Sequence, residues 1–62
     1  MPLTPKQMIK YLKDNGFEEI RQRGSHKFLM NRKTGKLTTV PMHCKDLSKG
    51  LEQKILKDAG LK

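Results

Sequence analysis

The 62-residue sequence predicts an α+β fold, in which a helix, three antiparallel strands and a second helix follow one another, with both helices on one face of the sheet. Three observations predict it: an amphipathic segment with a clear start and stop, three strand-length runs separated by turn residues, and a second amphipathic segment. Because no change in composition divides the chain, we expect residues 1–62 to form a single domain with a thin hydrophobic core.

The first helix is expected over residues 5–15. Thr4 can cap it, Pro5 suits its first position, and Gln7 at the third position completes a capping box. Gly16 supplies a stop. The apolar residues at helical spacing are Met8, Ile9 and Leu12.

The middle of the chain contains three strand-length runs, over residues 17–23, 26–30 and 36–41. The segments between them, 24–25 and 31–35, carry turn residues. Short connections of this kind join neighbouring antiparallel strands, so the three runs predict a meander.

The second helix is expected near the C-terminus. Either Ser48 or Asp46 can cap its start, and Gly60 ends it. Gly50 in the first turn costs up to about 1 kcal/mol relative to alanine. The apolar stripe consists of Leu47, Leu51, Ile55, Leu56 and Ala59.

The hairpin between the first two strands determines which side chains share a face. A two-residue type II′ turn at 24–25, with glycine first, places Arg23 opposite His26. Counting back along the strand places Ile20 opposite Leu29, on the face that the helices cover. A longer turn would change this register.

The opposite face of that hairpin would remain open to a partner. Its members are Arg21, Arg23, His26, Phe28 and Met30. In the competing register, Phe28 would be buried and His26 would lie at the edge of the sheet. In both registers, His26 stays close to the turn.

The charge points to a polyanionic partner. Fourteen Lys and Arg against six Asp and Glu give a formal net charge of +8 at pH 7. Positive charges at this density repel one another unless a polyanion such as RNA, DNA or an acidic protein is nearby. The alternative is that the charge serves solubility alone, but +8 on 62 residues lies at the edge of what a small soluble domain carries.

The cellular compartment is expected to be the cytoplasm. Cys44 is the single cysteine and cannot form an internal disulfide, and the first residues lack the apolar run of a signal peptide. No stretch approaches the roughly 18 apolar residues needed to cross a bilayer, so we expect no membrane association.

The open face suits RNA chemistry. Bases can stack on Phe28, while Arg21, Arg23 and Lys27 can meet phosphates. Further phosphate contacts are expected from Lys45 and Lys49, at the start of the second helix.

A nuclease acting on RNA can work without a metal, because RNA carries its own nucleophile, the 2′-hydroxyl. One imidazole that exchanges a proton near neutral pH is sufficient, and His26 is the candidate. A zinc site would need about four ligands, and only His43 and Cys44, with the distant His26, are present. We therefore expect no metal and no cofactor.

The order of short motifs resembles the HicA family of bacterial toxins. The motifs are "NGFEEIRQRGSH" after the first helix, "GSHK" entering the second strand, "TVPMH" after the third strand, and "KGLEQKILKDAGL" in the last helix. The resemblance covers nearly the whole chain.

This resemblance implies a fold like that of double-stranded-RNA-binding domains and a metal-free ribonuclease that cleaves mRNA independently of the ribosome. The family's catalytic histidine falls on His26, and its turn falls on Gly24 and Ser25. His43 matches a second histidine, for which a supporting or structural role is as consistent as a catalytic one. The implied partner is a HicB antitoxin that covers His26, and the implied outcome is growth arrest.

Two other functions fit the same features. A non-catalytic module that binds double-stranded RNA or DNA would use the same basic surface without cleavage. A protein-binding adaptor for an acidic partner would show no salt-dependent affinity for RNA.

Overall fold

The computed structural model describes residues 3–61 and confirms the predicted order of elements. The two helices are α1 and α2, and the three strands form one antiparallel sheet in the order β1-β2-β3. Their bounds are α1 Pro5–Asp14, β1 Phe17–Arg23, β2 His26–Asn31, β3 Leu37–Pro41 and α2 Lys49–Asp58.

Local signals determine where α1 begins and ends. The Thr4 hydroxyl accepts a hydrogen bond from the Gln7 backbone N–H at 3.2 Å, and the Gln7 side-chain oxygen accepts one from the Thr4 N–H at 2.9 Å. This reciprocal pair confirms the capping box. The helix ends one residue before the predicted position, with Asn15 as its C-cap and Gly16 at a φ of 91°.

The start of α2 is determined by Ser48 rather than Asp46. The Ser48 hydroxyl accepts a hydrogen bond from the backbone N–H of Leu51 at 3.1 Å, which satisfies an otherwise unpaired donor of the first turn. After the helix, the Leu61 N–H donates to the Leu56 carbonyl at 2.9 Å, which turns the chain back at Gly60.

The β1–β2 hairpin has the register of the two-residue turn. Arg23 lies opposite His26, and Arg21 lies opposite Phe28, as the sequence predicts. Gly24 has a φ of 58°, whereas Ser25 does not have a positive φ, which is the combination that a type II′ turn requires.

The predicted pairing of Ile20 with Leu29 is wrong. A bulge at Ile20 shifts the register, so Glu19 lies opposite Leu29 and the Ile20 side chain is 40% exposed. The physical reason is that one extra residue switches the alternation of faces. As a result, Phe17 points to the helix-covered face and is 4% exposed, while Arg21 stays on the open face.

The core lies between the two helices and one face of the sheet, which confirms that both helices cover the same face. Leu29 of β2 and Val40 of β3 are fully buried there. Thr38, also buried, donates its hydroxyl to the Ile55 carbonyl of α2 at 3.1 Å. The remaining members of the core are Met8, Ile9, Leu12, Phe17, Leu47, Ile55 and Ala59. Within residues 3–61, neither helix has the length and apolar character required to span a bilayer.

Candidate functional site

The open face of the sheet carries His26 on its middle strand, at the end next to the β1–β2 turn. His26 is the first residue of β2, the middle strand, and is exposed. Arg23 is its neighbour on β1 and Pro41 its neighbour on β3. The imidazole is therefore flanked by a cationic side chain on one strand and a rigid apolar one on the other.

A flat cationic platform lies next to it on the same face. The Arg21 guanidinium carbon is 5.7 Å from the centroid of the half-buried Phe28 ring, within the range of a cation–π contact. Arg21 and Phe28 are direct cross-strand neighbours, so the sheet itself holds this pair together.

The loop after β3 brings a second histidine to the hairpin turn. The Met42 N–H donates to the Ser25 carbonyl at 2.6 Å, which ties this loop to the turn. The Ser25 hydroxyl then lies 3.1 Å from the Nδ1 atom of His43. The ring centroids of His26 and His43 are 5.9 Å apart with an interplanar angle of 62°, an edge-on arrangement.

Cys44 lies on the far side of the His43 ring. Its Sγ atom is 3.7 Å from Nε2, a contact to a weak sulfur partner. Both nitrogens of His43 thus have a side-chain neighbour, Ser25 at one and Cys44 at the other. This arrangement restrains the orientation of the ring.

A groove with a volume of about 220 Å³ opens beside His26, between the sheet and α2. The sheet contributes His26, Thr39 and Pro41 to its lining. The residues that α2 contributes are Leu51, Lys54, Ile55 and Asp58. The sequence did not identify Lys54 and Asp58 as site residues. The spacing of apolar residues in α2 predicts which side of the helix is buried, but it does not predict the angle at which the helix packs on the sheet.

Three of the predicted cationic residues lie elsewhere. Lys27 follows His26 on the strand, so its side chain points to the opposite face. There, its ammonium group lies 3.1 Å from Glu19 Oε1. Lys45 lines a separate cavity with Lys6 of α1, and Lys49 is exposed at the first residue of α2.

Metal ligands are not clustered. Among residues 3–61, no group of three or more His, Cys, Asp and Glu side chains is arranged to hold a metal ion.

The sequence matches a protein-family model. The family model described as HicA toxin of bacterial toxin-antitoxin systems matches residues 5–61, which include both histidines, the hairpin turn and all five elements. No curated protein matches the chain. Because the matched segment extends over nearly all 62 residues, the chain belongs to the HicA toxin family.

Proposed function

We propose that the protein is a metal-independent endoribonuclease that cleaves mRNA without the ribosome and thereby inhibits translation and growth. The observation that supports this best is the exposed His26 on an open sheet face, next to Arg23 and at the mouth of a groove. Membership of a toxin family supports the cellular role.

The proposed reaction is an internal transfer at phosphorus. The ribose 2′-oxygen attacks the adjacent phosphorus and loses its proton, while the bond from phosphorus to the 5′-oxygen breaks and that oxygen gains a proton. The products are a 2′,3′-cyclic phosphate and a free 5′-hydroxyl. His26 performs one of the two proton transfers, since imidazole exchanges protons near neutral pH.

The open face binds the RNA strand in this proposal. Arg23 and Arg21 meet phosphate oxygens and stabilise the negative charge that develops on them, and Phe28 stacks on a base. At Gly24 and Ser25, the protein backbone can approach the RNA strand closely, next to His26. Lys45 and Lys49 bind phosphates farther along the strand, whereas Lys27 is left out because of its face and its ion pair with Glu19.

The partner follows from the family. A toxin of a toxin-antitoxin system has an antitoxin, and we propose a HicB-type protein that covers the face carrying His26. An acidic surface on that protein would be steered to this chain, with its net charge of +8, and would compete with mRNA in the cytoplasm.

Incubation of the purified protein with RNA in excess EDTA is expected to yield fragments ending in 2′,3′-cyclic phosphate. An oligonucleotide with 2′-deoxyribose throughout should remain intact, because it lacks the nucleophile. Mass spectrometry of the fragments provides the measurement. Salt-dependent binding without cleavage would instead indicate the non-catalytic RNA-binding module, and cleavage that requires added metal would contradict the proposed chemistry.

His43 is proposed as a positioning residue that holds the turn and the His26 ring. The substitution His43→Ala should lower kcat about ten- to a hundredfold and leave KM nearly unchanged, because slight misplacement of a reacting group is costly. In His43→Asn, the amide nitrogen lies near the position of Nδ1 and can keep the contact with the Ser25 hydroxyl. This variant should therefore recover most of the rate. Equal inactivity of both variants, with unchanged Tm, would instead make His43 a proton-transfer group.

A further inference from the structure

We propose that the groove between the sheet and α2 is a guanine-binding subsite for the nucleotide next to the cleaved phosphate. This inference rests on the proposed ribonuclease function and adds its base preference. It assigns roles to Lys54 and Asp58, which lie on α2 outside the sheet face described above.

The size and lining of the groove fit one base. Its volume of about 220 Å³ is below the roughly 300–1,000 Å³ of pockets for drug-sized ligands. Pro41 and Ile55 are buried and Leu51 is half-buried, so they provide apolar surface for the face of a base. His26 forms part of the same lining, which places the occupant next to the proposed catalytic group.

The charged groups that α2 contributes to the groove are Lys54 and Asp58. They are four residues apart on α2, so both side chains project from the same side of the helix, and both are exposed. The ion pairs formed among residues 3–61 are Lys27 with Glu19 and Arg32 with Glu18, so neither Lys54 nor Asp58 is engaged in one. Lysine only donates hydrogen bonds, and an ionised carboxylate only accepts them.

This pair of groups matches the Watson–Crick edge of guanine best. Guanine presents two adjacent donors, N1–H and the 2-amino group, for the two oxygens of one carboxylate, and the O6 acceptor beside them for an ammonium group. Adenine and cytosine each offer one amino group next to an acceptor nitrogen. Uracil offers a single N–H between two carbonyl oxygens. Those oxygens, like the carboxylate, are hydrogen-bond acceptors and would repel it.

The test compares RNA oligonucleotides that differ at one base, with guanosine or inosine at the same position. Inosine lacks only the 2-amino group. The protein should cleave next to guanosine with a kcat/KM about tenfold higher than next to inosine, the scale of one good base contact. Asp58→Asn should remove this difference, and Lys54→Met should lower cleavage next to both bases about equally, because both carry O6.

Matched controls are available for both substitutions. Asp14→Asn removes the same charge at the end of α1, and Lys57→Met removes a lysine of α2 that does not line this groove. Both should keep the guanosine preference. Asp58 is the last residue of α2, where a negative charge opposes the helix dipole, so Asp58→Asn is expected to fold at least as well as the parent.

Binding of uncleavable 2′-deoxy oligonucleotides separates this proposal from the nuclease. If RNA is not cut but deoxyguanosine binds more tightly than deoxyinosine and Asp58→Asn abolishes the difference, the subsite is supported and the nuclease proposal fails. If RNA is cut equally next to guanosine and inosine, and Asp58→Asn changes nothing, the subsite is overturned while the nuclease stands. The subsite is also overturned if the deoxyguanosine and deoxyinosine oligonucleotides bind equally, or if neither of them binds.

Discussion

The substitution His26→Ala is expected to reduce the rate of RNA cleavage about 10²- to 10⁴-fold, the usual contribution of one positioned acid or base. The side chain is exposed at the first residue of β2, so its removal leaves no cavity in the core. Thermal unfolding of the variant should therefore match that of the parent. The rate is measured with a labelled RNA in EDTA under single-turnover conditions.

RNA binding by the His26→Ala variant should persist, because the cations of the open face remain. The logarithm of its affinity should fall with the logarithm of salt concentration with the same slope as the parent, about 0.7 per neutralised phosphate. Arg23→Ala is the matched comparison, since Arg23 lies directly opposite His26 and its loss should reduce that slope. Cleavage at the parental rate by His26→Ala would remove the basis of the proposed mechanism.

In cells, the same substitution should relieve growth inhibition when the protein is produced without an antitoxin. A variant that still arrests growth would show that toxicity comes from RNA binding or from another activity. The parent and the His26→Ala variant must be produced at equal levels, checked by immunoblot, because an active toxin limits its own production.

The parts of the fold that the sequence could predict are those decided by neighbouring residues. The capping box of Thr4 and Gln7 and the turn at Gly24 involve residues no more than three positions apart. Their signals are therefore present in any short window of the chain. The register at Arg23 and His26 followed because a two-residue loop leaves no freedom in the pairing.

The bulge at Ile20 could not be read in the same way. No glycine marks it, and both neighbours, Glu19 and Arg21, are residues that an ordinary strand accepts. It is decided by competition between distant positions: Phe17 must reach the core while Arg21 stays on the open face. The position of the bulge therefore depends on how the helices pack on the sheet, which local sequence signals do not determine.

The surroundings of His26 were predictable in part. Because β3 runs antiparallel to β2, the residues after Pro41 must pass the 24–25 turn, and this signal could have placed His43 beside Ser25. The contribution of α2 could not be found this way. The stripe of α2 predicts which side is buried, but the helix orientation that brings Lys54 to the groove depends on packing against β3.

Truncation of Leu29 to alanine is expected to destabilise the protein by about 2–5 kcal/mol, the range for a fully buried leucine. Leu29 has no exposed surface and lies on the central strand under both helices. A 62-residue domain has a free energy of unfolding of roughly 3–9 kcal/mol at the usual value per residue. The substitution therefore removes between about a fifth of the stability and all of it, as urea denaturation followed by circular dichroism will measure.

Leu37→Ala is the matched control, because it deletes the same atoms from a side chain that is 49% exposed on the adjacent strand. Its effect should stay below about 1 kcal/mol, and equal losses of stability in the two variants would contradict the assigned core.

The destabilised variant Leu29→Ala and the catalytic variant His26→Ala should also respond differently to a stabilising osmolyte. Leu29→Ala leaves His26 and the open face in place, so its cleavage rate should follow the folded fraction and recover when a stabilising osmolyte is added, whereas His26→Ala should stay inactive when fully folded.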